Sequence, residues 1–316
     1  MPRRAAACLL CCLTVSAQER TFRAQSNVVQ VPVVVTDKQG RGIDGLHAAD
    51  FTVLDNNIPQ QITLDDFSGG LPPVNLVVAV QCSQTSELAL ADIRRIGAMI
   101  QPLISGQRGE VAVVSFDKEI NWIQDFTRSD NNIVDAIKSL HPGSRTGARI
   151  FDTIAEAAGR FHPRPGRKIL LLISQSNDSG SHSKLDDAIQ AVEREGIEVF
   201  AAHYSSYAMA WIAQPSDFPE KSLYDQMFYS ELARLGRTNH VRALAMATGG
   251  SDYSFFRQKG IDKAIGLFGA EVHSQYILSF PLHDDTPGMH QIDVLIPARP
   301  DLRIRSRHGY FVSQAQ

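Results

Sequence analysis

Asn75 to Ser86 reads NLVVAVQCSQTS, and the fold is legible from this stretch outward. With Val74 before it, Leu76, Val77, Val78, Ala79 and Val80 form an almost unbroken apolar run rich in β-branched residues. No polar residue alternates with them, so both faces are expected in a core, as in a central parallel strand. The run ends at Gln81 and passes into Ser83, Thr85 and Ser86. Leu88, Leu90, Ile93, Ile96, Met99 and Ile100 then follow at helical spacing, predicting one helix. A buried strand feeding a helix through a polar turn makes a ligand crevice at the strand's carboxyl end.

The same rhythm repeats downstream. Glu110–Phe116, Lys168–Ile173 and Ile197–Ala202 read as buried strands, with Glu119–Gln124 as a partner strand. Helices are expected over Asn132–Leu140, Arg149–Phe161, Lys184–Arg194, His240–Thr248 and Ile261–His273, with a short strand at Asp252–Phe256. Alternating strands and helices imply a doubly wound, mostly parallel α/β sheet. Tyr204–Asn239 interrupts the rhythm with Tyr207, Met209, Trp211, Phe218 and Tyr229, on the side where ligands bind.

Both ends of the chain read as β. Val28–Val35 is strand-like, and Phe51–Leu54, the turn Asp55-Asn56-Asn57 and Gln61–Leu64 read as a hairpin. Gln275–Phe280, His290–Ile296, Leu302–Arg305 and Gly309–Val312 supply further strands. Each half alone would leave long unpaired edges, so the two are expected to pair into one β-sandwich around the α/β insert. The expected division is 18–72 and 275–316 for the sandwich and 73–274 for the insert.

Arg3 and Arg4, an apolar Ala5–Val15 and the small-residue box Val15-Ser16-Ala17 read as a signal peptide over residues 1–17, so the chain is expected to be exported, periplasmic or extracellular. A lipoprotein signal ending at Cys11 or Cys12 is the alternative, though the preceding residues fit it poorly. The run is too short for a membrane span. Without it, 29 Lys and Arg face 34 Asp and Glu, a net charge of −5, which argues against nucleic acid as a partner. Cys82 is then the one cysteine left; with no His or Lys beside it, it reads as a small buried hydrophobe.

The Asn75–Ser86 stretch resembles the first strand and metal loop of a von Willebrand factor type A domain. The whole chain resembles the secreted bacterial "VWFA-related" proteins, including the closing Arg-x-Gly-Tyr-Phe string, here Arg307-His308-Gly309-Tyr310-Phe311. That resemblance implies a Mg²⁺ site on three loops. In the first, the family's Asp-x-Ser-x-Ser stands here as Gln81-Cys82-Ser83-Gln84-Thr85; in the second, its Thr-Ala-Leu-Tyr-Asp aligns with Ala148-Arg149-Ile150-Phe151-Asp152. In the third, Ser-Asp-Gly becomes Ser174-Gln175-Ser176. Gln81, Ser83, Thr85, Ala148 and Gln175 are thus vestigial metal-site positions. Two neutral amides are a poor exchange for the hydration shell of Mg²⁺, so no metal and no other cofactor is expected. A rescued Ca²⁺ or Mg²⁺ site using Asp178 and Thr146 is the alternative.

The loops then read as a neutral polar cluster whose groups either satisfy one another or meet an unidentified protein or peptide partner. Gln84, Ser176, Asn177 and Trp211 are the candidate contact residues. A hydrolase using Ser83 or Asp178 is the competing class. No Gly-x-Ser-x-Gly elbow, His-Glu-x-x-His or Walker lysine supports an enzyme. His283, Asp284, Asp285 and His290 read as a solvated hairpin turn.

Overall fold

The computed structural model describes residues 28–65, 73–83, 86–105, 108–143, 147–162, 164–175, 177–204, 239–255 and 258–312. The signal-peptide reading and the aromatic insert around Trp211 lie outside the described residues.

The molecule is built on a mixed six-stranded sheet. Its strands are β5 (Val74–Gln81), β6 (Glu110–Phe116), β7 (Ile120–Thr127), β8 (Arg167–Ser174), β9 (Ile197–Tyr204) and β10 (Asp252–Phe255). Their order is β10-β9-β8-β5-β6-β7, parallel except for the β6–β7 pair. Every residue of β5 is buried, as the unalternating apolar run required. Leu76, Val78 and Val80 face one core, against α1 (Glu87–Ile93), α2 (Gly97–Ile100), α3 (Asp130–Lys138) and α7 (Gln258–Ser274). Val77 and Ala79 face the other, against α4 (Ile150–Phe161), α5 (Leu185–Glu195) and α6 (His240–Thr248). Burying each such Val or Leu contributes roughly 1.5–3 kcal/mol. The strand pairs with β6 on one side and β8 on the other, so the chain reverses direction across it. A crevice at the carboxyl ends follows.

The helix after β5 is not the single one its periodicity predicts. It ends at Ile93, resumes at Gly97 and passes into a π-helical turn at Gln101–Ser105. Tertiary contacts divide it: Arg94 Nε donates to Leu140 O at 2.6 Å, and a Cβ on Gly97 would lie 3.2 Å from Val134 Cα.

Two four-stranded sheets make the second layer pair. One has the order β13-β1-β11-β4, from β1 (Val28–Thr36), β4 (Thr63–Leu64), β11 (Tyr276–Pro281) and β13 (Arg303–Ser306). The other has the order β14-β12-β2-β3, from β2 (Thr52–Asp55), β3 (Ile58–Pro59), β12 (Gly288–Leu295) and β14 (Gly309–Val312). Val31, Val33, Leu278 and Phe280 of the first sheet share a core with Val53, Ile292 and Tyr310 of the second. N-terminal and C-terminal strands thus form one sandwich. The hairpin turn falls where expected, with Asn56 and Asn57 at φ 48° and 65°. Its second arm is Ile58–Pro59, not Gln61–Leu64, because β4 crosses to pair with β11 in the other sheet.

Candidate functional site

Three loops converge where β5, β6 and β8 end. Gln81 anchors them and is 3 % exposed. Its side-chain carbonyl accepts from Gln175 N at 2.8 Å, and its amide donates to Ser83 Oγ at 2.9 Å. Ser83 Oγ lies 3.0 Å from Ser86 Oγ, which accepts from Tyr204 OH at 2.7 Å. Ser174 Oγ donates to Gln175 O at 2.8 Å. One amide therefore ties the ends of β5 and β8 together through neutral hydrogen bonds.

The second loop enters through Gly143, whose N–H donates to Cys82 O at 2.5 Å. A Cβ there would lie 2.1 Å from Asp117 Oδ2, so a larger residue would have to displace that carboxylate. Ala148 is buried, and its backbone exchanges two hydrogen bonds with Ser179. Where the resemblance implies a hydroxyl ligand, it offers a methyl group.

The carboxylates of the rim are committed to the fold. Asp178 Oδ1 accepts from Phe151 N at 3.2 Å and Ser181 Oγ at 2.6 Å, and Oδ2 accepts from Ser181 N at 3.2 Å. It caps α4. Its own N–H donates to His240 Nδ1 at 2.8 Å, which places the neutral ring's proton on Nε2. Asp152 is pushed up by burial, but N–H donors from His182 and Ser183 and the Arg149 guanidinium outweigh this and hold it well below the usual carboxylate range. Burial, with the Asp117 charge second, pushes the Cys82 thiol up to about 12, so it is no nucleophile at neutral pH.

At the described positions of the three loops the side-chain donors that a cation would meet are mostly neutral. Gln81, Ser83 and Gln175 are uncharged, and the Gln81 side chain already bonds Ser83 Oγ and the backbone N–H of Gln175. Of the two residues in the rescued-site alternative, Asp178 accepts hydrogen bonds from Phe151 at the start of α4 and from Ser181, and Thr146 lies outside the described residues. Among the described residues, no group of three or more His, Cys, Asp or Glu is placed to hold a metal ion.

Several solved structures are similar to this chain at low identity. No family model matches the chain, and no curated protein matches it. The conserved hypothetical protein BatB from Bacteroides thetaiotaomicron is similar at 16 % identity, covering 62 % of this chain and 99 % of its own, with a TM-score of 0.42. The vWF domain of the type V pili tip protein Mfa5 from Porphyromonas gingivalis is similar at 11 % identity, covering 64 % and 96 %, with a TM-score of 0.45. Proximal thread matrix protein 1 from the mussel byssus, solved with a zinc-occupied MIDAS motif, is similar at 14 % identity, covering 66 % and 47 %, with a TM-score of 0.44.

Of the candidate contact residues, Asn177 is exposed on the rim, while Gln84, Thr85, Ser176 and Trp211 lie outside the described residues. Sequence reasoning passed over Asp117, whose Oδ1 accepts from Glu119 N at 2.8 Å in the β6–β7 turn beside Gly143. It also misplaced His290, which is not in a solvated turn. His290 is 2 % exposed on β12, with Nε2 2.8 Å from Thr286 O and Nδ1 3.3 Å from Asp55 and 3.2 Å from Tyr310. Its place in the alternation His290, Ile292, Val294 was the available signal.

Proposed function

We propose that this chain is an exported, non-catalytic, adhesion-type protein-interaction module that takes its partner at the carboxyl-end rim without a metal ion. One observation carries the reading: Gln81 closes the crevice floor by bonding Ser83 and Gln175, and the amides and hydroxyl that meet there carry no charge of their own for a cation to balance. An uncharged polar floor suits hydrogen bonding to a protein or peptide. Gln84, Ser176, Asn177 and Trp211 are the proposed contacts. In this reading residues 1–17 are the export signal. Residues 18–72 and 275–316 form the sandwich that carries the 73–274 module. No helix among the described residues is long and apolar enough to cross a membrane.

Calorimetric titration of the chain from residue 18 with Mg²⁺, Ca²⁺ and Mn²⁺ tests the metal-free claim. No saturable heat is expected, and stoichiometric binding of any of the three overturns it. Once a partner is isolated from the envelope, Gln84→Ala and Gln175→Ala are expected to weaken it. Unchanged affinity in both moves the contact to the sandwich.

A further inference from the structure

The sandwich leaves one stretch of backbone without a neighbouring strand. β1 pairs with β11 over Val28–Val33, but β13 joins its other side only from Val33 to Thr36. After Ser306 the chain turns away and enters β14 in the other sheet. Among the described residues, Val28 to Pro32 therefore keep an open edge. The register says which groups face it. Ile277 and Ser279, opposite Pro32 and Gln30, send their carbonyls toward Asp65 N and Thr63 Oγ1 on the far side. These are non-hydrogen-bonded pairs, so Val28, Gln30 and Pro32 turn their polar groups outward. The edge thus offers the carbonyls of Val28 and Pro32 and the N–H groups of Val28 and Gln30, with the Gln30 carbonyl in long contact with Arg307; Pro32 has no N–H.

β14 has a matching edge. Gln291 O accepts from Asn56 N on the β2 side, so its partner Gly309, and Phe311 two residues on, face away from β12. Both edges line one cleft of about 450 Å³, walled opposite by the last turn of α5 and the start of β8. Arg307 stands in it and donates to three backbone carbonyls: Gly309 O at 2.8 Å, Glu193 O at 3.1 Å and Gln30 O at 3.5 Å. A side chain covers acceptors that a strand's N–H groups would otherwise meet.

We propose that this cleft receives an extended segment of a partner protein, added as a strand along Val28–Pro32. The cleft's chemistry describes that segment. Val28, 51 % exposed, lines it with Pro32, Leu282 and Phe311, which suits an apolar side chain. Lys168 pairs with Glu195 at 3.0 Å and Arg167 with Glu198 at 3.3 Å. Arg307 faces Glu193, while Arg194 lies over the Phe311 ring at 4.9 Å with no carboxylate partner among the described residues. The mouth is positive by at least one charge, so the segment carries an acidic residue near its apolar one. The cleft lies at the amino ends of β8 and β9, away from the rim, and the inference does not rest on the rim's function.

Pro32 and Arg307 also blunt an edge against unwanted pairing, and a fully sealed edge would bind nothing. Fluorescence anisotropy of a fluorescein-labelled peptide, TVTVDVT, titrated with the chain from residue 18 separates these. Saturable binding is expected. Gln30→Pro, which removes one edge donor and leaves the core face alone, should weaken it at least about tenfold. Arg194→Glu should weaken it and should strengthen binding of TVTVKVT. Hydrogen exchange guards against misfolding: the Val28 and Gln30 amides of the unaltered chain should exchange fast and slow under saturating peptide. No saturation up to about 1 mM overturns the proposal. So does unchanged affinity in Gln30→Pro, or binding that appears only after residues 18–27 are deleted.

Discussion

Replacing Gln81 with methionine should destabilise the protein by about 2–3 kcal/mol without leaving a cavity. The methionine keeps the glutamine's length and volume, so the loss isolates the amide. Two hydrogen bonds disappear, to Gln175 N at 2.8 Å and Ser83 Oγ at 2.9 Å, each worth about 1 kcal/mol net. Gln175 is half-buried, so its orphaned N–H recovers some water, and that penalty sits near 1 kcal/mol. Methionine's greater apolarity offsets a few tenths. Urea unfolding followed by tryptophan fluorescence measures the change, with the m-value held as a check that the unfolded state is the same. A loss under about 0.5 kcal/mol at unchanged m would refute the claim that this amide ties the ends of β5 and β8 together.

The triple substitution Gln81→Asp, Ala148→Thr, Gln175→Asp should create saturable Mg²⁺ binding, with none expected in the unaltered chain. Calorimetry showing no heat in the triple variant would mean that charge at these positions is not what governs the site. Glu193, 8 % exposed, is pushed up to about 7 by burial, which the nearby Arg307 charge only partly offsets. The folded chain then holds a proton that the unfolded chain has already released above about 4.5, so stability should fall, by on the order of 2 kcal/mol, as pH rises from there to about 7. Glu193→Gln should flatten that slope, and urea midpoints at several pH values in this window show whether it does. Asp152 behaves oppositely: its depressed carboxyl stabilises α4 above the ordinary carboxylate range and loses that effect in acid. Asp152→Asn should cost about 2 kcal/mol at neutral pH and less as pH falls, read as converging unfolding midpoints. Glu198→Ala should cost about 3–5 kcal/mol because it leaves Arg167, 7 % exposed, buried without its 3.3 Å partner; a loss below about 1 kcal/mol in thermal unfolding would contradict this.

What was legible in the sequence was whatever depended on local period and side-chain volume. The unalternating run at β5 implied two covered faces, and the alternating runs at both ends implied one covered face each. A sheet covered on both faces and a second β layer pair account for these surfaces, since each apolar face has to be covered. That Gln81 and Gln175 carry no charge was equally visible, since it is a matter of residue type. Tertiary contact decided the rest. A close approach by α3 split the helix after β5 at Gly97, and pairing with β11 carried Thr63–Leu64 into the other sheet. Distance along the chain hid Asp178's commitment to α4 and the burial of His290 among Asp55 and Tyr310, partners 235 and 20 residues away. The open edge of β1 was hidden for the same reason. Periodicity says that a strand exists and which face is apolar, but hydrogen-bond partners lie in the perpendicular direction, where only the assembled sheets show which side was left unpaired.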